Sequence, residues 1–469
     1  MDDDTTHSNN ASKSMRTDLQ QRLQQVLTAL QLDDAPAGGA VVVYQGGECL
    51  AQASVGMARA DTPWQADTLA INFSTGKGVL ATLVHVLVSQ QMLDYDVPIA
   101  HYWPKFAAKG KDTITLRQVM SHQADLFSII SIDVDSDTVL DWRDMLSHIE
   151  AMPITEPEDA AVYDSAYSAL IYGWVLGGTV EAVTHMSLAE ALRQYLTGPL
   201  GIADSCYFGV PESKVEQVAR LAKNFEASSE EKTQLRSRRH KPTLKTDSQG
   251  TLQTYASLPS YACWQQQALG ASKLIEPIEA DEKHTSPILD TAQINRLYFN
   301  TSQLNLKNYK AALIPAGKQP IDYHDSQTLQ AVIPAANGVA SAEALATIYA
   351  MLANGGVWQG RTLIDQATFD QLTTPQVAGL DAVMPAPMQW RLGYHRLFTI
   401  CSGKDTTNQI MDSASSGFGH MGYNGSVAWC DPVRQLSFAF IHNFDTTMLN
   451  DIRQFALTEA VLGWVDDLR

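Results

Sequence analysis

Ser74 and Lys77 stand three residues apart in Ser74-Thr75-Gly76-Lys77, where an apolar, strand-like stretch ends and a largely apolar helix begins. A serine in the first turn of a helix lies beside free N–H groups and the positive end of the helix dipole, which favours an alkoxide or an oxyanion there. A lysine one turn further along shares its face, and once taken out of water it can be neutral and accept the serine's proton. The pair is equipped for nucleophilic catalysis. Spacing alone does not establish it, because an N-capping serine followed by an exposed lysine gives the same letters. The chain repeats the spacing at Ser229-Glu230-Glu231-Lys232, in a charged stretch with nothing to bury the lysine.

Two further clusters hold groups that would complete such a site. Tyr163-Asp164-Ser165-Ala166-Tyr167-Ser168 precedes a long helical pattern. A tyrosine near a cationic lysine ionises more easily and serves as a general base, and both Tyr163 and Tyr167 qualify, although tyrosines before helices commonly just pack. Gly419-His420-Met421-Gly422-Tyr423-Asn424-Gly425 leads into the last strands. Glycines such as Gly422 let a strand edge approach a ligand closely, so the Tyr423 N–H can form an oxyanion hole with the N–H of Ser74. His420 adds an imidazole to the same stretch, where a structural role is the plainer reading. No GxSxG elbow, HExxH zinc helix or GxxxxGK[ST] phosphate loop competes with these clusters.

The elements that must position these residues are legible in outline. Leu19, Leu23, Val26, Leu27 and Leu30 recur at helical spacing after a polar stretch, residues 1–15, expected to be a disordered tail. Gly38–Tyr44 and Cys49–Val55 read as a hairpin around Gln45-Gly46-Gly47. Helical patterns follow at 75–93, 166–183 and 187–195, and again from Ser341 to Leu352 before the stop Asn354-Gly355-Gly356. Ser426–Cys430 and Leu436–His442 are strands, and Asp451–Val465 is a closing helix. The expected class is α/β, a sheet built from both ends of the chain with a helical lobe inserted. Residues 16–72 and 330–469 then form the α/β lobe of one catalytic domain, 16–469, and residues 73–329 its helical lobe. A polar insertion at about 225–295 is expected to help roof the pocket.

Composition narrows the partners. With 469 residues, 45% of them hydrophobic and 18% charged, the chain is an ordinary globular protein. A formal net charge of −18 makes nucleic acid a poor partner, and the basic run Arg236–Lys241 reads as a solvated loop. The longest apolar runs fall short of the ~18–20 residues of a membrane span. Met1-Asp2-Asp3-Asp4 lacks the basic and apolar regions of a signal peptide, so a cytoplasmic location is expected. Five scattered cysteines without CxxC spacing argue against a disulfide framework and a zinc site, and read as buried thiols.

Taken together and in this order, the three clusters resemble the serine β-lactamase and penicillin-recognising superfamily, most closely its esterase branch related to class C β-lactamases, the family VIII carboxylesterases. Tyr102-Trp103-Pro104, Leu116–Ala124 (LRQVMSHQA), Tyr167–Trp174 (YSALIYGW), Gly198-Pro199-Leu200-Gly201, Ile333–Gly338 (IPAANG) and Phe418–Pro432 extend the likeness over most of the chain. The resemblance implies an antiparallel sheet flanked by helices, an inserted helical lobe, and an active site in the cleft between them. It implies Ser74 as the acylated nucleophile, Lys77 as its proton partner and a general-base tyrosine. Spacing forward from Pro157 favours Tyr163; the YSALIYGW match and the spacing to Glu181 favour Tyr167, which is preferred because loops absorb extra residues more easily than packed helices.

Two departures bear on substrate. The lactamase third motif begins with Lys where this chain has His420, and the asparagine expected two residues after the tyrosine is Ser165 or Ala169. Both suit a neutral ester better than a β-lactam. The implied function is a serine carboxylesterase for small to medium esters, with no metal or organic cofactor, a small-molecule ester as its partner, and room for assembly into a homo-oligomer. A β-lactamase or D-amino-acid peptidase is the enzymatic alternative, and a non-catalytic self-assembling scaffold of the same fold is the alternative of another class.

Overall fold

The computed structural model describes residues 3–31, 36–221, 248–272, 288–316, 321–401 and 417–467, without the side chains of residues 3–15 and 271–272. The second serine–lysine spacing, Ser229 to Lys232, and the basic run Arg236–Lys241 lie outside the described residues. Helix α1 spans Asp3–Ala29, so the polar opening expected to be disordered is helical backbone from Asp3 onward.

The hairpin β1 (Gly39–Gln45) and β2 (Glu48–Val55) forms as expected. Strands β3 (Val377–Leu380), β4 (Pro387–Trp390), β5 (His395–Arg396), β6 (Phe418–Met421), β7 (Val427–Asp431) and β8 (Leu436–His442) complete an eight-stranded sheet of order β3-β4-β5-β6-β7-β8-β1-β2. Every neighbouring pair is antiparallel, and β1 lies against β8 with Gly39 opposite His442.

Strand side chains alternate between faces, and here both faces are buried. Ala40, Val42, Ala439 and Ile441 join a core shared with α2 (Gly76–Ser89), α3 (Ile171–Thr184) and the Ala-rich α5 (Ala342–Ala353). Val41, Val43, Phe438 and Phe440 join a second core with α1 and the closing helix α6 (Arg453–Asp467). This explains why the central strands read as continuous apolar runs. The fold is therefore the expected α/β one, with an antiparallel sheet flanked by helices. No helix among the described residues is long and apolar enough to cross a membrane.

The described part of the 225–295 insertion packs into the second core, against the closing helix. In α4 (Tyr261–Ser272) the Trp264 indole N–H donates to the Tyr298 hydroxyl at 2.9 Å, and Tyr298 stacks on Phe455 of α6. Cys263 of the same helix is bonded to Cys401. That pairing corrects the expectation of five buried thiols: Cys206 and Cys430 are buried and free, and Cys49 is exposed. Structural disulfides belong mainly to oxidising compartments, so this bond and the expected cytoplasmic location pull in opposite directions.

Candidate active site

Ser74 sits in a short 3-10 turn, Phe73–Thr75, immediately ahead of α2. Phe73 holds a left-handed backbone (φ 48°), which turns the chain sharply before the serine. The turn is tied down on both sides: Asn72 N–H donates to Gly338 O at 2.9 Å and the Thr75 hydroxyl to Ser426 O at 3.1 Å. Gly422 is required here, since a Cβ on it would meet Asn72 O at 2.5 Å. The third cluster and the Ser74 turn are thus pressed together, as the glycines suggested.

Lys77 points from the first turn of α2 into a site without solvent; its relative exposure is 0%. Its Nζ lies 2.9 Å from Ser74 Oγ, 2.7 Å from Ala169 O and 2.8 Å from Ala335 O. Burial with no carboxylate beside it pulls the lysine pKa well below its ordinary value. A neutral amine has two N–H groups and one lone pair. With the two carbonyls taking its N–H groups, a neutral Lys77 turns its lone pair to the Ser74 hydroxyl, whereas a protonated one donates to Ser74 Oγ.

The structure separates the two tyrosines. Tyr167 is buried, its hydroxyl shares a hydrogen bond with Ser74, and its ring centroid lies 5.0 Å from Lys77 Nζ. Burial, the larger influence, raises its pKa, and the hydrogen bond to Ser74 opposes that rise. Tyr163 is half-buried at the end of a 3-10 turn and packs with the second core; no contact among the described residues joins it to Ser74 or Lys77. The helical pattern read from residue 166 begins only at Ile171, because residues 165–170 form a loop buried against the sheet.

His420 is buried in β6, its ring 6.1 Å from that of Tyr167 and 5.2 Å from that of His395. Its Nδ1 lies 2.9 Å from Met421 O, a carbonyl that only accepts, so Nδ1 carries the proton and Nε2 is a bare acceptor. Burial, then the neighbouring His395 and Lys77, hold its pKa well below the usual imidazole value, and His420 is neutral at neutral pH. A neutral acceptor therefore stands where a lysine would place a positive charge.

Tyr423 is 39% exposed, and its ring lies 6.0 Å from that of Phe73. Tyr323 meets Phe73 edge-on at 5.6 Å, and the Tyr309 and Tyr423 hydroxyls share a hydrogen bond. These four rings form an aromatic wall that includes Phe73, the residue before Ser74. Tyr309 and Tyr323 come from a part of the sequence where nothing in composition or spacing marked them. The same is true of Asp381, whose carboxylate contacts the Tyr167 segment. Ala335 lies in the IPAANG stretch that carried part of the resemblance. Among the described residues no group of His, Cys, Asp and Glu is arranged to hold a metal ion.

Comparison with known proteins shows the family. The model of the Beta-lactamase family matches residues 23–462. Esterase/beta-lactamase LipL of Mycobacterium tuberculosis (strain ATCC 25618 / H37Rv) is 30% identical over 414 residues, spanning 87% of this chain and 77% of the relative. A penicillin-binding protein homologue from Caulobacter crescentus superposes with a TM-score of 0.67 at 26% identity, covering 94% of this chain and 96% of the other. A family VIII carboxylesterase superposes with the same TM-score at 22% identity, covering 95% and 97%, a likeness of fold. With a family model matched across most of its length and a relative 30% identical, the chain belongs to the β-lactamase family.

Proposed function

We propose that this protein is a serine carboxylesterase that hydrolyses small to medium neutral carboxylic esters through an acyl-Ser74 intermediate. The observation that carries the reading is the 2.9 Å contact between Ser74 Oγ and a solvent-free Lys77 whose other two donors face carbonyls. Lys77, assisted by Tyr167, takes the Ser74 proton as the oxygen attacks the ester carbonyl. The N–H groups of Ser74 and Tyr423 hold the oxyanion, and the alcohol leaves with a proton from Tyr167. Water, deprotonated by the same groups, then releases the acid.

Two features favour an ester over a β-lactam. His420 is a neutral acceptor and offers no cation to a substrate carboxylate. No amide side chain follows the tyrosine: Ala169 uses its carbonyl on Lys77, and the Ser165 hydroxyl is committed to Asp381. Turnover of p-nitrophenyl acetate, butyrate and octanoate, measured beside nitrocefin, is expected to exceed nitrocefin turnover by at least about 100-fold in kcat/KM, a discrimination that a site lacking a ligand's polar partners delivers. Comparable nitrocefin turnover would reassign the protein as a β-lactamase.

The aromatic wall supports an apolar acyl or alcohol group beside the nucleophile. Tyr323→Ala opens that wall, and kcat/KM for the octanoate ester is expected to fall about 10-fold while that for acetate changes less than about twofold. Equal losses on both esters would show that Tyr323 only supports the fold.

A further inference from the structure

Tyr167 lies in a buried loop, ahead of the helix that begins at Ile171, so no helical or sheet ladder of its own fixes it. Its neighbours are held from two sides. On one side, Ala166 N–H donates to His122 O at 2.9 Å and Ser168 N–H to His122 Nδ1 at 3.2 Å. On the other, Asp164 N–H donates to Leu380 O at 2.8 Å and Ala382 N–H to Ser165 O at 2.9 Å, zipping the loop to the chain that follows β3.

Asp381 sits at the centre of that second seam, 5% exposed. Its Oδ1 accepts from Tyr167 N–H at 3.2 Å, Val383 N–H at 2.9 Å and Met384 N–H at 3.0 Å. Its Oδ2 accepts from the Ser165 hydroxyl at 2.7 Å and, at 3.2 Å, from the Trp390 indole N–H, which is shared with Ser165 Oγ at 3.1 Å. No cation among the described residues forms an ion pair with it. A buried carboxylate is costly unless hydrogen bonds answer its charge, and here three of the five donors belong to Ser165, Tyr167 and Trp390. Trp390 in turn stacks on the Tyr167 ring, with 1° between planes and 5.5 Å between centroids.

Resting on the reading of Tyr167 as the proton-handling tyrosine, we infer that Asp381 is a positioning residue that sets the Tyr167 hydroxyl against Ser74, through the Tyr167 backbone and the Trp390 ring. The carboxylate fixes where the residue starts and the indole fixes the plane of its ring. A hydroxyl aligned for proton transfer tolerates little displacement. Burial raises the Tyr167 pKa and the nearby Asp381 charge raises it further, so losing that charge eases ionisation of the Tyr167 hydroxyl, whereas losing its placement lowers the rate.

The test is a double-mutant cycle on p-nitrophenyl butyrate, with kcat and KM measured for wild type, Asp381→Asn, Tyr167→Phe and the double variant, each checked for folding by circular dichroism. Asp381→Asn is expected to lower kcat about 30-fold with KM within about twofold. Tyr167→Phe is expected to lower kcat about 100-fold, and the double variant to be no slower than Tyr167→Phe, because Asp381 acts through that hydroxyl. If Asp381→Asn fails to fold, Ser165→Ala, which removes one donor and keeps the carboxylate, carries the same cycle with an expected loss of about 5-fold. Losses that multiply in the double variant, or a folded Asp381→Asn as fast as wild type, overturn the role of Asp381 alone. A Tyr167→Phe variant as fast as wild type overturns the reading of Tyr167 and the inference with it.

Discussion

Ser74→Ala is expected to lower kcat/KM for p-nitrophenyl butyrate by about 10⁴-fold without loss of fold. Removing a nucleophile from a preassembled acyl-transfer site leaves only what binding and the oxyanion hole contribute. The side chain is partly exposed and its one bond to backbone, Ser74 Oγ to Ala335 O, is long at 3.3 Å, so deletion leaves the surrounding core intact. A fluorophosphonate should modify the wild type once, on the peptide carrying Ser74, and leave the variant unlabelled. Undiminished turnover in the variant would move the chemistry elsewhere, and a wild type that neither turns over esters nor takes the label would favour a non-catalytic scaffold.

Lys77→Met should remove about 10³-fold in kcat, in the range expected for losing a positioned proton acceptor. Methionine nearly matches the lysine stem in length, so the pocket stays filled. Arginine, which stays protonated, should not rescue. The pH profile carries the same argument with a definite sign. Activity needs the amine neutral, so the rate rises as pH climbs through the Lys77 pKa. Burial lowers that pKa well below the ordinary 10.5. The ascending limb should therefore lie well below pH 10. An ascending limb centred at pH 10 or higher would mean that Lys77 is solvated and cationic, and would remove it as the base.

What could be read in advance was what is local. Ser74, in the 3-10 turn that runs into α2, and Lys77, in the first turn of α2, lie three residues apart, so their meeting follows from local geometry, and the continuous apolar strands Gly39–Gln45 and Leu436–His442 announce their own sheet. Tyr167 was one of two candidates, because the choice depends on how the loop at 165–170 seats against β3 and β4, more than two hundred residues away in sequence. Asp381 and the rings of Tyr309 and Tyr323 gave no signal at all. An isolated acid or tyrosine in an irregular stretch has no periodicity, and only tertiary packing gives it neighbours. The same holds for Cys263 and Cys401, whose pairing was hidden by an odd cysteine count and a separation of 138 residues.

The sheet joins its first hairpin to its last strand, and Gly38 N–H reaches Asn443 Oδ1 across 405 residues of sequence at 2.7 Å. During synthesis β1 leaves the ribosome about 400 residues before its partner β8. At roughly 5–20 residues per second, that wait lasts roughly 20–80 s. Throughout it, an apolar strand with an open edge must be shielded by α1 or by a chaperone. Slowing growth by lowering temperature slows aggregation of that waiting hairpin as well as translation, whereas any premature stop before β8 leaves the centre of the sheet unclosed. Closure of the sheet at β1 therefore waits on β8.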